Sequence, residues 1–112
     1  MLERWLALVA LLAGAFAASA APEGGASAAA GEHTVIIENM QFAPATLAVR
    51  RGERVVWVNR DLVAHTVTAQ DKGFDSRAIP AGGRWSTVAT RAGRFGYACA
   101  FHPTMTGVLA VQ

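Results

Sequence analysis

The chain has 112 residues, 53% of them hydrophobic and 16% charged, with one Cys, three His and a formal charge of +2. That length accommodates one domain and excludes an active site between two large lobes. A lone Cys excludes an internal disulfide framework and Cys-rich zinc sites of the finger or ribbon type.

Residues 1–20 read MLERWLALVALLAGAFAASA, and 16 of the 20 are hydrophobic. Arg4 supplies the positive n-region, partly cancelled by Glu3, and Ala18-Ser19-Ala20 gives the small-x-small pattern of a signal-peptidase site. The apolar stretch from Trp5 to Ala18 would rise about 21 Å as a helix, short of a ~30 Å hydrocarbon core. Small residues and Pro22 follow where a permanent anchor would continue, so a cleaved signal peptide is expected, cut after Ala20 or Ala21. Export would place Cys99 in an oxidising compartment, where a free thiol is at risk unless something such as a metal occupies it. Residues 21–31 (APEGGASAAAG) lack apolar periodicity and read as a flexible lead-in.

From His33 the texture changes to short β-branched and aromatic runs. The expected strands are His33–Glu38, Thr46–Val49, Val55–Asn59, His65–Ala69, Arg84–Thr90, Phe95–Cys99 and Val108–Val111. Between them lie turn clusters, among them Met40–Pro44, Arg51-Gly52-Glu53, Asp71-Lys72-Gly73 and Pro80–Gly83. Seven strands at this spacing, without a long helical pattern, indicate an all-β sandwich or barrel. Period-two alternation sets Phe95, Tyr97 and Cys99 on one face, and His65, Val67 and Ala69 on another inward face.

Cys99-Ala100-Phe101-His102-Pro103-Thr104-Met105 is a C-x2-H-x2-M segment, and His65 stands 34 residues upstream of Cys99. Two imidazoles, one thiolate and one thioether are the donors of a blue-copper site, with His65, Cys99 and His102 in a trigonal plane and Met105 axial. Thiolate and thioether favour Cu(I), and imidazole accommodates Cu(II). On these residues the sequence resembles the cupredoxins, and within them the amicyanin group, whose short His-x2-Met spacing and Pro after the His it shares. Phe42-x-Pro44-x-x-Leu47-x-Val49-x-x-Gly52-x-x-Val55-x-Trp57-x-Asn59 is similar to the family's early strands, and Asn59-Arg60 ahead of His65 resembles amicyanins as well.

The resemblance implies a cupredoxin-like Greek-key β-sandwich of seven to eight strands over residues 32–112. It implies a monomeric periplasmic carrier of single electrons, not an enzyme, using one Cu(I)/Cu(II) ion per chain. Partners would be redox proteins, a dehydrogenase or c-type cytochrome. His102 would expose its ring edge through an apolar rim of Leu62, Val63, Phe101 and Pro103.

Two departures from the amicyanin pattern stand beside the ligands. Phe101 replaces a Pro and restores an N–H, a donor expected to reach the Cys99 sulfur and raise the reduction potential. Thr66 replaces an Asn that ties the two ligand loops, leaving a hydroxyl and a backbone N–H for that task. His33 reads as a solvated strand end, Met40 as packing beside Phe42, and Trp57 and Trp85 as core or half-core anchors. Arg supplies nine of the ten positive charges without forming a basic stripe with interleaved aromatics, which argues against nucleic-acid binding. The rival readings are a copper carrier on the same fold and a metal-free interaction module.

Overall fold

The computed structural model describes residues 31–112, with Gly14 apart; the expected signal peptide and almost all of the lead-in lie outside the described residues. Eight strands follow in order: β1 (Glu32–Glu38), β2 (Gln41–Ala43), β3 (Thr46–Val49), β4 (Arg54–Asn59), β5 (Thr68–Ala69), β6 (Arg84–Val88), β7 (Gly93–Cys99) and β8 (His102–Val111). They form two four-stranded sheets, in the orders β2-β1-β4-β6 and β3-β8-β7-β5. Each sheet is mixed, because β1 runs parallel to β4 and β3 parallel to β8 while the other pairs are antiparallel. The all-β sandwich expected from the strand spacing is the fold observed.

Alternation explains which face each strand buries. Val35 and Ile37 of β1, Val55 and Trp57 of β4, and Tyr97 and Cys99 of β7 are all buried, their strand neighbours less so. The two sheets meet where the Trp57 indole N–H donates to the Tyr97 hydroxyl at 3.2 Å. Phe42 packs edge-on against the same Tyr ring at 4.8 Å between centroids. Burial pushes the Tyr97 phenol up to about 12, against the opposing hydrogen bond from Trp57. Gly107, directly across from Tyr97 in the β7–β8 ladder, makes room for it: a Cβ there would lie 2.3 Å from the ring carbon Cζ.

Besides shifts of one or two residues at the ends of β1, β4, β6 and β7, three features differ from the sequence reading. Met40–Pro44, read as a turn, contains β2, which adds one buried side chain, Phe42, to the sheet edge. The run His65–Ala69 pairs as a strand only at Thr68–Ala69, with His65 joined to Ile79 by a single bridge. Its other N–H groups go elsewhere: Thr66 N–H to the Cys99 sulfur at 3.3 Å and Val67 N–H to Ser76 Oγ at 2.7 Å. Finally, β8 begins at His102, because Cys99 pairs with His102 across a two-residue turn and the register then slips next to Ala98. The C-x2-H-x2-M segment is therefore the irregular tip of a hairpin.

Candidate metal centre

The β7–β8 hairpin brings Cys99 and His102 to one end of the sandwich, and the segment after β4 brings His65 to meet them. Cys99 Sγ lies 3.7 Å from His65 Nδ1 and 3.7 Å from His102 Nδ1, and the three donor atoms all fall within 4.8 Å of one another. His65 and Cys99 are fully buried, and His102 is half-exposed. The donor set fits copper. Met105, three residues beyond His102, is buried on the inward face of β8 with Gly107, Leu109 and Val111.

The bases of these ligands are held from several sides. Thr66 uses both groups: besides its N–H on the sulfur, its hydroxyl accepts the Ala100 N–H at 2.8 Å. Thus one residue of the His65 segment grips the hairpin at two points. The donation expected from Phe101 is not made; among the described residues it is the Thr66 N–H that reaches the Cys99 sulfur. The tight two-residue turn leaves the Phe101 ring 54% exposed instead.

Asn59 is fully buried at the end of β4 and organises the segment that carries His65. Its amide donates to the carbonyls of Val63 at 2.9 Å and Ile79 at 3.0 Å, and its side-chain oxygen accepts the Asp61 N–H at 3.0 Å.

Asp61 is the residue that sequence reasoning missed. Its Oδ2 lies 2.7 Å from His65 Nε2, so the imidazole donates there and turns Nδ1 towards the cluster. The same carboxylate accepts the N–H groups of Asn39 at 2.7 Å and Met40 at 3.0 Å. Desolvation pushes the Asp61 carboxyl up, but the Met40 N–H, the His65 imidazole and the Asn39 N–H together hold it below the usual carboxylate range. A carboxylate four residues ahead of a His, in an aperiodic loop, was the available signal.

Other residues stay apart from the centre. His33 is the second residue of β1, at the opposite end, with Nε2 3.2 Å from Glu53 Oε1. The segments that carry the ligands expose apolar side chains: Leu62 is 96% exposed, Val63 is exposed with it, and Phe101 and Pro103, the chain neighbours of His102, are exposed as well.

Two imidazoles and a cysteine sulfur converging at the end of an eight-stranded two-sheet sandwich define a small copper-site β-sandwich. The family model of the cupredoxin-like domain matches residues 6–111, and the chain belongs to that family. It is 30% identical to Amicyanin-alpha of Methylorubrum extorquens over 97% of this chain and 99% of that protein. Among solved structures, a purple cupredoxin from Nitrosopumilus maritimus superposes with a TM-score of 0.68 and 28% identity, over 71% of this chain and 99% of the other. A Cu(I) form of an amicyanin mutant superposes with a TM-score of 0.68 and 30% identity, over 73% and 83% respectively. The resemblance to cupredoxins, and to amicyanins among them, holds.

Proposed function

We propose that this protein is an exported carrier of single electrons, with one copper ion that His65, Cys99, His102 and Met105 would hold. The observation that carries the reading is the convergence of two imidazole nitrogens on one buried sulfur at 3.7 Å each. Bound there, copper supplies a one-electron Cu(I)/Cu(II) couple. The chain's own part is to keep the donors still. Asp61 fixes the His65 ring, and Thr66 supports the thiolate through its N–H and clamps the hairpin that carries Cys99 and His102. Donors held from behind have little freedom to rearrange between oxidation states, which suits rapid electron exchange.

His102 is the exit. It is the half-exposed member of the cluster, flanked in the chain by the exposed Phe101 and Pro103; an apolar rim that Leu62 and Val63 would complete suits brief encounters. The partners on this reading are other redox proteins, a dehydrogenase as donor and a c-type cytochrome as acceptor, met by a monomer. Protein donors at all four positions favour electron carriage over transformation of a substrate. Export rests on residues 1–20, whose removal leaves the domain free in the periplasm.

The test is a visible spectrum of the protein purified from a periplasmic extract, oxidised with stoichiometric Cu(II); its mass also reads the cleavage. An intense blue band that bleaches on reduction and is lost in Cys99→Ala is the expected result. A nearly colourless copper complex would overturn electron carriage in favour of copper transport. Absence of copper binding would leave an interaction module.

A further inference from the structure

His65 and Cys99 are fully buried and Met105 is 4% exposed, so an ion reaching these donors must pass through the protein's outer layer. Two ways in are visible. One runs past the half-exposed His102 imidazole, whose chain neighbours Phe101 and Pro103 present only hydrocarbon. The other runs past Met105. A cleft of about 320 Å³ opens there, lined by Met105 with Met40, Gln41, Phe42, Ala45, Thr104 and Thr106. Every side chain in that lining is neutral, and two of the seven are thioethers.

Met40 itself is not explained by packing. It is 40% exposed, although its neighbour Phe42 is buried. Its backbone sits at φ 60°, a left-handed conformation that a Met adopts only when held there. What holds it is the Asp61 carboxylate, through the N–H groups of Asn39 and Met40. The fold thus fixes a flexible sulfur-bearing side chain at the cleft, with a second thioether, Met105, on the same lining. Soft thioether donors select Cu(I) over hard cations, and a neutral lining favours a monovalent ion over a more strongly hydrated divalent one.

We infer that this cleft is the path by which Cu(I) enters and leaves the centre, with the Met40 thioether as its landing ligand and Met105 as the relay to the buried cluster. The inference rests on the copper reading above but concerns the route rather than the resting site. It separates two properties: Met40 governs how fast the ion arrives, and His65, Cys99 and His102 govern how tightly it stays.

The experiment follows transfer of Cu(I) from its coloured bicinchoninate complex to the apoprotein by stopped-flow absorbance, with an equilibrium titration alongside. Met40→Leu keeps the apolar volume and removes the sulfur; loading is expected to slow by about five- to tenfold while the final partition moves less than about twofold. Thr106→Arg, which puts a cation into the cleft from an exposed strand position, is expected to slow loading as well. Leu62→Arg, at an exposed position of the His65 segment outside the cleft lining, is expected to leave the rate alone. Wild-type loading rates in both Met40→Leu and Thr106→Arg would overturn the inference, as would slowing by Leu62→Arg in their place. If the wild-type chain takes no Cu(I) from the competitor at equilibrium, the functional reading itself falls, a result distinct from unchanged kinetics.

Discussion

At the end of the sandwich that carries His65, Cys99 and His102, three polar side chains, those of Asn59, His65 and Thr66, are buried. At the opposite end the turn Arg50–Glu53 joins β3 to β4 with its side chains mostly in solvent, held by the Glu53 carboxylate on the Arg50 N–H. The contrast follows from what each end asks of the backbone. The far turn reverses direction in four residues, and Gly52, at φ 89°, supplies the left-handed step. The metal end must hold an aperiodic stretch, 60–67, so that one imidazole faces a sulfur on another sheet. Backbone groups without a ladder partner need side-chain partners, and those partners are buried because the site is. Rigidity at the centre is therefore built from hydrogen bonds, whereas the far end needs only a turn.

If that is right, the largest effect comes from removing Asn59. Asn59→Ala deletes donors to the Val63 and Ile79 carbonyls and the acceptor of the Asp61 N–H. Leaving such groups without partners costs about 1–3 kcal/mol each, and a total near 3 kcal/mol is expected. That corresponds to a melting temperature lower by roughly 15 °C for a domain of this size, measured by calorimetry on the apoprotein. The comparison makes a sharper demand on hydrogen exchange: residues 60–66 should exchange faster while 49–54 stay as they were. Equal acceleration at both ends would break the contrast.

Much of this architecture is legible in the sequence, and the rest is hidden for physical reasons. Thr46–Val49 is found as predicted because its alternation serves one buried face, and Cys99 falls on the inward face because Phe95 and Tyr97 set the phase. The pair of imidazoles and the thiol are legible because a metal cluster needs donors whose spacing survives in the chain. β2 escapes because three residues with a single buried side chain carry no period, and Pro44 beside them reads as a turn. Asp61 escapes because its one signal, a carboxylate four residues ahead of a His, lies in an aperiodic loop where spacing does not show which side chains meet. The expectation at Phe101 failed for a related reason: having an N–H does not aim it, and the turn geometry gives the sulfur to Thr66.

Thr66→Val tests that clamp with a smaller effect. The substitution keeps the shape and the N–H on sulfur but removes the hydroxyl that accepts the Ala100 N–H. Because Ala100 is exposed, water can replace part of the lost bond, so the cost is expected near 1 kcal/mol, or about 5 °C in melting temperature. In the copper-loaded protein the blue band should broaden as the hairpin loosens. A full loss of the band would mean that the hydroxyl, rather than the ligands, defines the site.

The smallest effect belongs to the far end and appears only with pH. The Arg50 N–H, and then His33, hold the Glu53 carboxyl below its ordinary 4.5, with desolvation opposing them. A carboxyl depressed in the folded state stabilises it above the unfolded value, and that contribution is lost as pH falls through the folded value. Glu53→Gln lacks the charge at every pH. The wild type should therefore melt slightly higher than the variant near neutrality, and the gap should close as pH falls below the usual carboxylate range. Throughout, the absorption of the copper-loaded variant should match that of the wild type at each pH, because the Glu53 turn shares no hydrogen bond with the segment that carries His65. A gap that persists in acid would mean that Glu53 acts by packing; a shifted spectrum would mean that the two ends are coupled through β4, the strand that runs from Arg54 beside this turn to Asn59 beneath the metal centre.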